Sequence, residues 1–129
     1  MSHWTVARVR FAEVNRSLLR SALEELARRL GGEVRENVVV KGWGGVSRRC
    51  DYAVVVRMAF GNGYGVVVGS GGIEVVADDH GAPLSVDEFA DKVAQMYVAL
   101  AVAYAARDLG FAVEAREAEG SIVMDLVRA

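Results

Sequence analysis

Between residues 18 and 30 the apolar positions fall three and four apart: Leu18, Leu19, Ala22, Leu23, Leu26, Ala27 and Leu30. That is the period of one face of an α-helix, and Arg20, Glu24, Glu25, Arg28 and Arg29 lie off the stripe. Asn15 is placed as the N-cap, since its side-chain oxygen can accept an orphan backbone N–H. Gly31-Gly32 stops the helix, because glycine takes up the left-handed conformation without steric cost. Ahead of it, Thr5 to Phe11 reads as a strand that Trp4 pins into the fold, which gives His3 a fixed position.

The middle of the chain changes to short apolar runs bounded by glycine. Strands are expected over Val34 to Lys41, Tyr52 to Met58, Gly65 to Gly69 and Ile73 to Asp78. Gly42 to Asp51 reads as a glycine-rich loop, Gly61-Asn62-Gly63 as a hairpin turn, and Ser70-Gly71-Gly72 as another turn. Val38-Val39-Val40, Val54-Val55-Val56 and Val66-Val67-Val68 do not alternate, so these strands are expected to be buried on both faces or to lie at an interface.

Ser85-Val86-Asp87-Glu88 is a capping box, serine followed three later by glutamate. It opens a second helix that runs to Leu109, with Gly110 as the stop. From Met96 to Ala106 this helix is apolar on every side, so either the sheet wraps it or a second copy covers it. Phe111 to Ala118 and Ser121 to Arg128 then form a terminal hairpin. The order β-α-β-β-β-β-α-β-β has no regular βαβ crossover in its middle. It predicts an α+β fold: a largely antiparallel sheet of about six to seven strands with two helices. The whole of residues 1–129 is read as a single domain.

Composition narrows the classes of function. The chain is 53% hydrophobic with one proline, which argues against disorder. Its net charge of −2 gives no global pull toward nucleic acid or anionic lipid. A single cysteine, Cys50, allows no internal disulfide and fits a cytoplasmic protein, and no secretory signal or membrane span is expected. Thirteen arginines against two lysines, and few amides, fit a thermophilic source or a GC-rich genome.

Asp78-Asp79-His80-Gly81 joins carboxylates to an imidazole at a strand end, where ligands gather; the plain alternative is an acidic turn in which Asp79 caps. No HxxxH, HExxH or CxxC spacing supports a metal site, and neither a metal nor a cofactor is expected. The Gly42–Asp51 loop offers a stacking face in Trp43 and anion contacts in Arg48 and Arg49, but lacks a nucleotide-cradling spacing. Cations beside Cys50 favour a thiolate, although a structural cysteine is the simpler reading. Ser47 and Ser70 have no nearby histidine to activate them. Gly69-Ser70-Gly71-Gly72 reads as a hairpin turn rather than a phosphate loop.

Several residues recur in an order that resembles a known family. They are Met1-Ser2-His3-Trp4-Thr5, Val34-Arg35-Glu36-Asn37, Gly42-Trp43-x-Gly45, Asp51 to Val55, Asn62-Gly63-Tyr64, Val76-Ala77-Asp78-x-x-Gly81, Gln95-x-Tyr97, Gly110-Phe111 and Gly120-Ser121-Ile122. Together they resemble the uncharacterised family of hypothetical chloroplast reading frame thirty-five, found in algal plastids and cyanobacteria with relatives elsewhere. The resemblance implies a small soluble protein with no established activity. It also implies an accessory role, because bacterial relatives are associated with operons carrying AAA-type ATPases. The chain departs from the pattern at Asp79-His80 and at Val98-Ala99, where the family carries aromatics.

The leading expectation is a non-enzymatic interaction module that self-associates, as a homodimer through helix 85–109 or the valine-rich strands, and serves a larger assembly. The alternative is a small-ligand or anion site where His3, Trp43, Arg48, Arg49, Asp78 and His80 meet. RNA binding through the arginine loop is a third reading.

Overall fold

The computed structural model describes residues 4–128; the side chains at positions 113, 115, 117, 122, 126 and 128 lie outside that description. The elements are β1 (Trp4–Arg10), α1 (Arg16–Leu30), β2 (Glu33–Lys41), β3 (Ser47–Val55), β4 (Tyr64–Gly69), β5 (Gly72–Asp78), α2 (Val86–Asp108), β6 (Phe111–Ala118) and β7 (Ser121–Arg128). The first five strands form one antiparallel sheet in the order β1-β5-β4-β3-β2, and β6 and β7 pair as a separate hairpin. This is the α+β class the element order predicts.

Both helices cover the same face of the sheet. Leu19, Leu23 and Leu26 of α1 and Phe89, Val93 and Met96 of α2 pack on Tyr52, Val54, Tyr64, Val66, Val75 and Ala77. Tyr64 stacks on Phe89 with ring centroids 4.2 Å apart, and its hydroxyl donates to the Leu84 carbonyl at 2.6 Å while accepting the Leu84 amide at 2.9 Å. Burial outweighs those bonds and pushes the Tyr64 phenol above its ordinary value. The caps form as the residues dictate. Asn15 accepts from the Leu18 amide at 3.0 Å, Ser85 and Glu88 close the capping box, and Gly31 and Gly110 take φ of +72° and +84°. The amide of Ser85 draws the Glu88 carboxyl below its ordinary value.

The opposite face is where the valine runs are explained. Up to Glu36 and from Tyr52 onward, the even-numbered residues of β2 and β3 face the helices: Val34 and Val54 join the main core, and Glu36 pairs with Arg20 of α1 at 2.9 Å. Beyond this point Val38, Val40 and Cys50, also even-numbered, belong to a second cluster with Ala53 and Val76, so both strands turn over together at Asn37 and Asp51. Asn37 supplies the turn with a φ of +51°, a conformation asparagine tolerates better than most residues. The far half of the β2–β3 hairpin thus folds over the back of β4 and β5. Cys50 and Val40 lie on Gly65, where a β-carbon would come within 2.4 Å of the sulfur. As β3 leaves β4, the Asp51 carboxylate accepts the Val68 amide at 2.7 Å.

Two expectations need correction, and a third is narrowed. Residues 47–51 are not loop but the start of β3, since only 42–46 connect the two strands. Gly61-Asn62-Gly63 is not a tight hairpin, because β3 ends at Val55 and β4 begins at Tyr64. Asn62 instead bonds the end of β2, accepting the Lys41 amide at 2.8 Å and donating to the Val39 carbonyl at 3.3 Å. Of the two covers expected for the second half of α2, the sheet is not the one observed: Val98, Val102 and Tyr104 are 53%, 39% and 49% exposed. The two helical tyrosines therefore differ. Tyr97 is buried against Phe11 and accepts the Asn15 amide at 3.0 Å, whereas Tyr104 lies at the surface under the Arg107 guanidinium.

Candidate functional site

The end of the folded-over hairpin reaches β5 and meets Asp78. This carboxylate is fully buried, and its Oδ2 accepts the Trp43 amide at 2.9 Å. Gly42 is required there: a β-carbon would lie 2.9 Å from that of Asp78 and 3.0 Å from the Trp4 ring. Burying a carboxylate costs several kcal/mol unless hydrogen bonds compensate, so the bond to Trp43 fixes the loop firmly. The indole it positions is 63% exposed. Trp43 meets the edge of Phe60 at 5.8 Å between centroids, and Phe60 meets His80 at 5.3 Å. Two residues on from Phe60, Asn62 ties the same loop to the end of β2. Three loops thus present a row of rings at one corner of the sheet.

Asp79 serves the helix beside this corner. Its Oδ2 accepts the Val86 amide of α2 at 2.7 Å, and its Oδ1 accepts from the Thr5 hydroxyl at 3.4 Å. A carboxylate at a helix N-terminus satisfies an orphan donor and complements the macrodipole.

Of the residues singled out in the sequence, Trp43, Asp78 and His80 come together here. Arg48 does not: its guanidinium bonds Glu74 at 2.8 Å, four residues along β5 from Asp78, or about 13 Å at strand spacing. Arg49 is exposed, and strand alternation points it away from Arg48. His3 lies outside the described residues. Sequence reasoning missed Phe60, the ring that links the other two; no apolar period marks it, and its contacts reach across other loops.

Among the described residues no group of three or more His, Cys, Asp and Glu side chains could hold a metal ion. Cys50 is buried, and burial pushes its thiol above the ordinary value against the smaller downward pull of Arg48. Among them too, no helix is long and apolar enough to cross a membrane. The described part of the corner offers a stacking surface of Trp43, Phe60 and His80.

Comparison with curated proteins and with solved structures returns no match. A family described as a protein of unknown function, DUF1257, matches residues 22–127. The match begins within α1 and takes in the rest of that helix, the valine strands, the aromatic corner, α2 and nearly all of the terminal hairpin, and on this ground the chain belongs to the DUF1257 family.

Proposed function

We propose that this protein is a non-enzymatic interaction module that pairs with a second copy of itself and serves a larger assembly. The observation that carries the reading is the outer face of α2. No charged residue occurs from Val93 to Ala106, a stretch about 21 Å long. Val98, Val102 and Leu109 form an exposed stripe at helical spacing. Beside it runs a trough of about 460 Å³ between α2 and the terminal hairpin, lined by Ala94, Gln95, Val98, Ala99, Ser121 and Met124. A ridge next to a trough on one surface is self-complementary: related by a two-fold axis, each copy's ridge enters the other's trough. Sedimentation equilibrium tests it. The native chain is expected to be a dimer at micromolar concentration, and Val102→Glu is expected to weaken it by at least about a hundredfold. A native chain that stays monomeric at about 100 μM overturns the reading.

The aromatic corner supports a second contact, with the assembly itself. A buried carboxylate that fixes the backbone beneath an exposed tryptophan suits a preorganised anchor. The resemblance to the chloroplast reading-frame family supports an AAA-type ATPase as that partner. If so, Trp43→Ala abolishes co-purification with an AAA-type ATPase from the same cells, while the dimer persists. Undiminished co-purification sinks it.

A further inference from the structure

A hollow of about 350 Å³ opens on the back of the sheet, at the β4–β5 turn. Its lining includes Arg8, Arg10, Val67, Ser70 and Glu74, with the backbone of Gly69 to Gly72. It is hollow because Gly69 and Gly72 face each other across the strands without side chains. Gly72 needs to be glycine, since a β-carbon would stand 2.0 Å from the Val9 carbonyl oxygen. Gly69 and Gly71 do not. Neither has a positive φ, and a β-carbon would meet nothing nearer than 3.8 Å at Gly69 and nothing within 4 Å at Gly71. The space beside these two glycines leaves the turn's backbone open to close approach by a bound group.

The charge around the hollow is unbalanced. Arg8 and Arg10 alternate onto the same face of β1, about 7 Å apart. Glu74 is the single carboxylate of the lining, and Arg8 at 3.1 Å and Arg48 at 2.8 Å already engage it. The hydrogen bond from Arg48 is the chief reason its carboxyl lies below the ordinary value. Within the described lining two guanidinium groups, Arg8 and Arg10, stand against this one carboxylate, and Arg48 from outside the lining neutralises it further. A phosphate monoester is an anion whose oxygens planar guanidinium groups match in pairs.

We infer that this hollow binds a phosphate group, received between Arg8 and Arg10 over the glycine backbone of the turn, with the apolar part of its bearer against Val67. The site is separate from the α2 face and does not depend on dimerisation. The test follows backbone amides and arginine Nε signals by heteronuclear NMR at low ionic strength, with inorganic phosphate as the probe and acetate as the control. Phosphate is expected to shift Gly69 to Gly72 and both arginines along one saturable curve, with a dissociation constant of about 1 mM or tighter. Acetate is expected to give no saturable shift. Arg10→Ala and Gly69→Ala should each weaken the phosphate by roughly tenfold. Both positions can change without disturbing the fold: Arg10 is exposed and Gly69 is uncrowded. Equal shifts with acetate, or unchanged affinity in the Arg10→Ala chain, overturns the assignment.

Discussion

The two faces of the central sheet are buried by different means. On one face, two helices lay apolar stripes over Tyr52, Val54, Tyr64 and Val75, and the core is large. On the other, no helix is involved: the β2–β3 hairpin turns over at Asn37 and Asp51 and sets Val40 and Cys50 on Gly65 and Val76. The first face depends on the volume of its side chains, the second on one backbone reversal and one missing β-carbon. Perturbations should therefore act on the two faces in different ways.

The largest effect is expected on the helix-covered face. Phe89→Ala removes a fully buried ring stacked on Tyr64 and should cost about 3–5 kcal/mol, read as a shift of the urea midpoint. Gly65→Ala strikes the back face, where the added methyl meets the Cys50 sulfur, Val40 and Val76. Overpacking of this kind costs about 1–3 kcal/mol. Gly65→Ala combined with Cys50→Ala relieves the nearest clash and should recover part of the loss. A double variant no better than Gly65→Ala alone would show that the hairpin does not close on Gly65.

Next comes the reversal itself. Asn37→Val puts a β-branched side chain at a φ of +51° and should cost about 1–2 kcal/mol, whereas Asn37→Gly should stay within about 0.5 kcal/mol of the native chain. Equal loss in both variants would place the requirement in the asparagine side chain rather than in the backbone.

The same contrast marks how much the sequence revealed. Helix α1, the capping box of α2, the β4–β5 turn and the terminal hairpin were legible because each is a local pattern: a period, a cap or a glycine. The valine runs correctly signalled burial on two sides but could not say what the second cover was. A strand reversal leaves no periodic trace, and residues 42–51 read as loop because the glycines at 42, 44 and 45 overshadow the strand that follows. At the corner, Asp78 and His80 were visible as residue types beside a strand end. Their joining to Trp43 runs through Phe60 and the folded-over hairpin, with contacts such as Lys41–Asn62 across 21 residues and Trp43–Asp78 across 35 that no local pattern records.

The smallest expected effect is a difference in alkaline stability. Each face buries one group whose neutral form it favours: Tyr64 under the helices and Cys50 under the hairpin, both raised mainly by loss of water. Their ordinary values are 10.0 and 9.0. A raised folded pKa contributes stability in full below the unfolded value, and that stability is lost as pH rises through the folded one. The back face should therefore weaken first, above about pH 9, and the helix-covered face about one pH unit later. Urea midpoints measured between about pH 8 and about pH 10.5 in the native chain and in Cys50→Ala separate the two. The variant should lose less stability over the lower part of that range, because no buried thiol remains to ionise. Superimposable pH profiles would mean that the thiol is reached by water, and that the cover over the back face opens far more readily than the helices do.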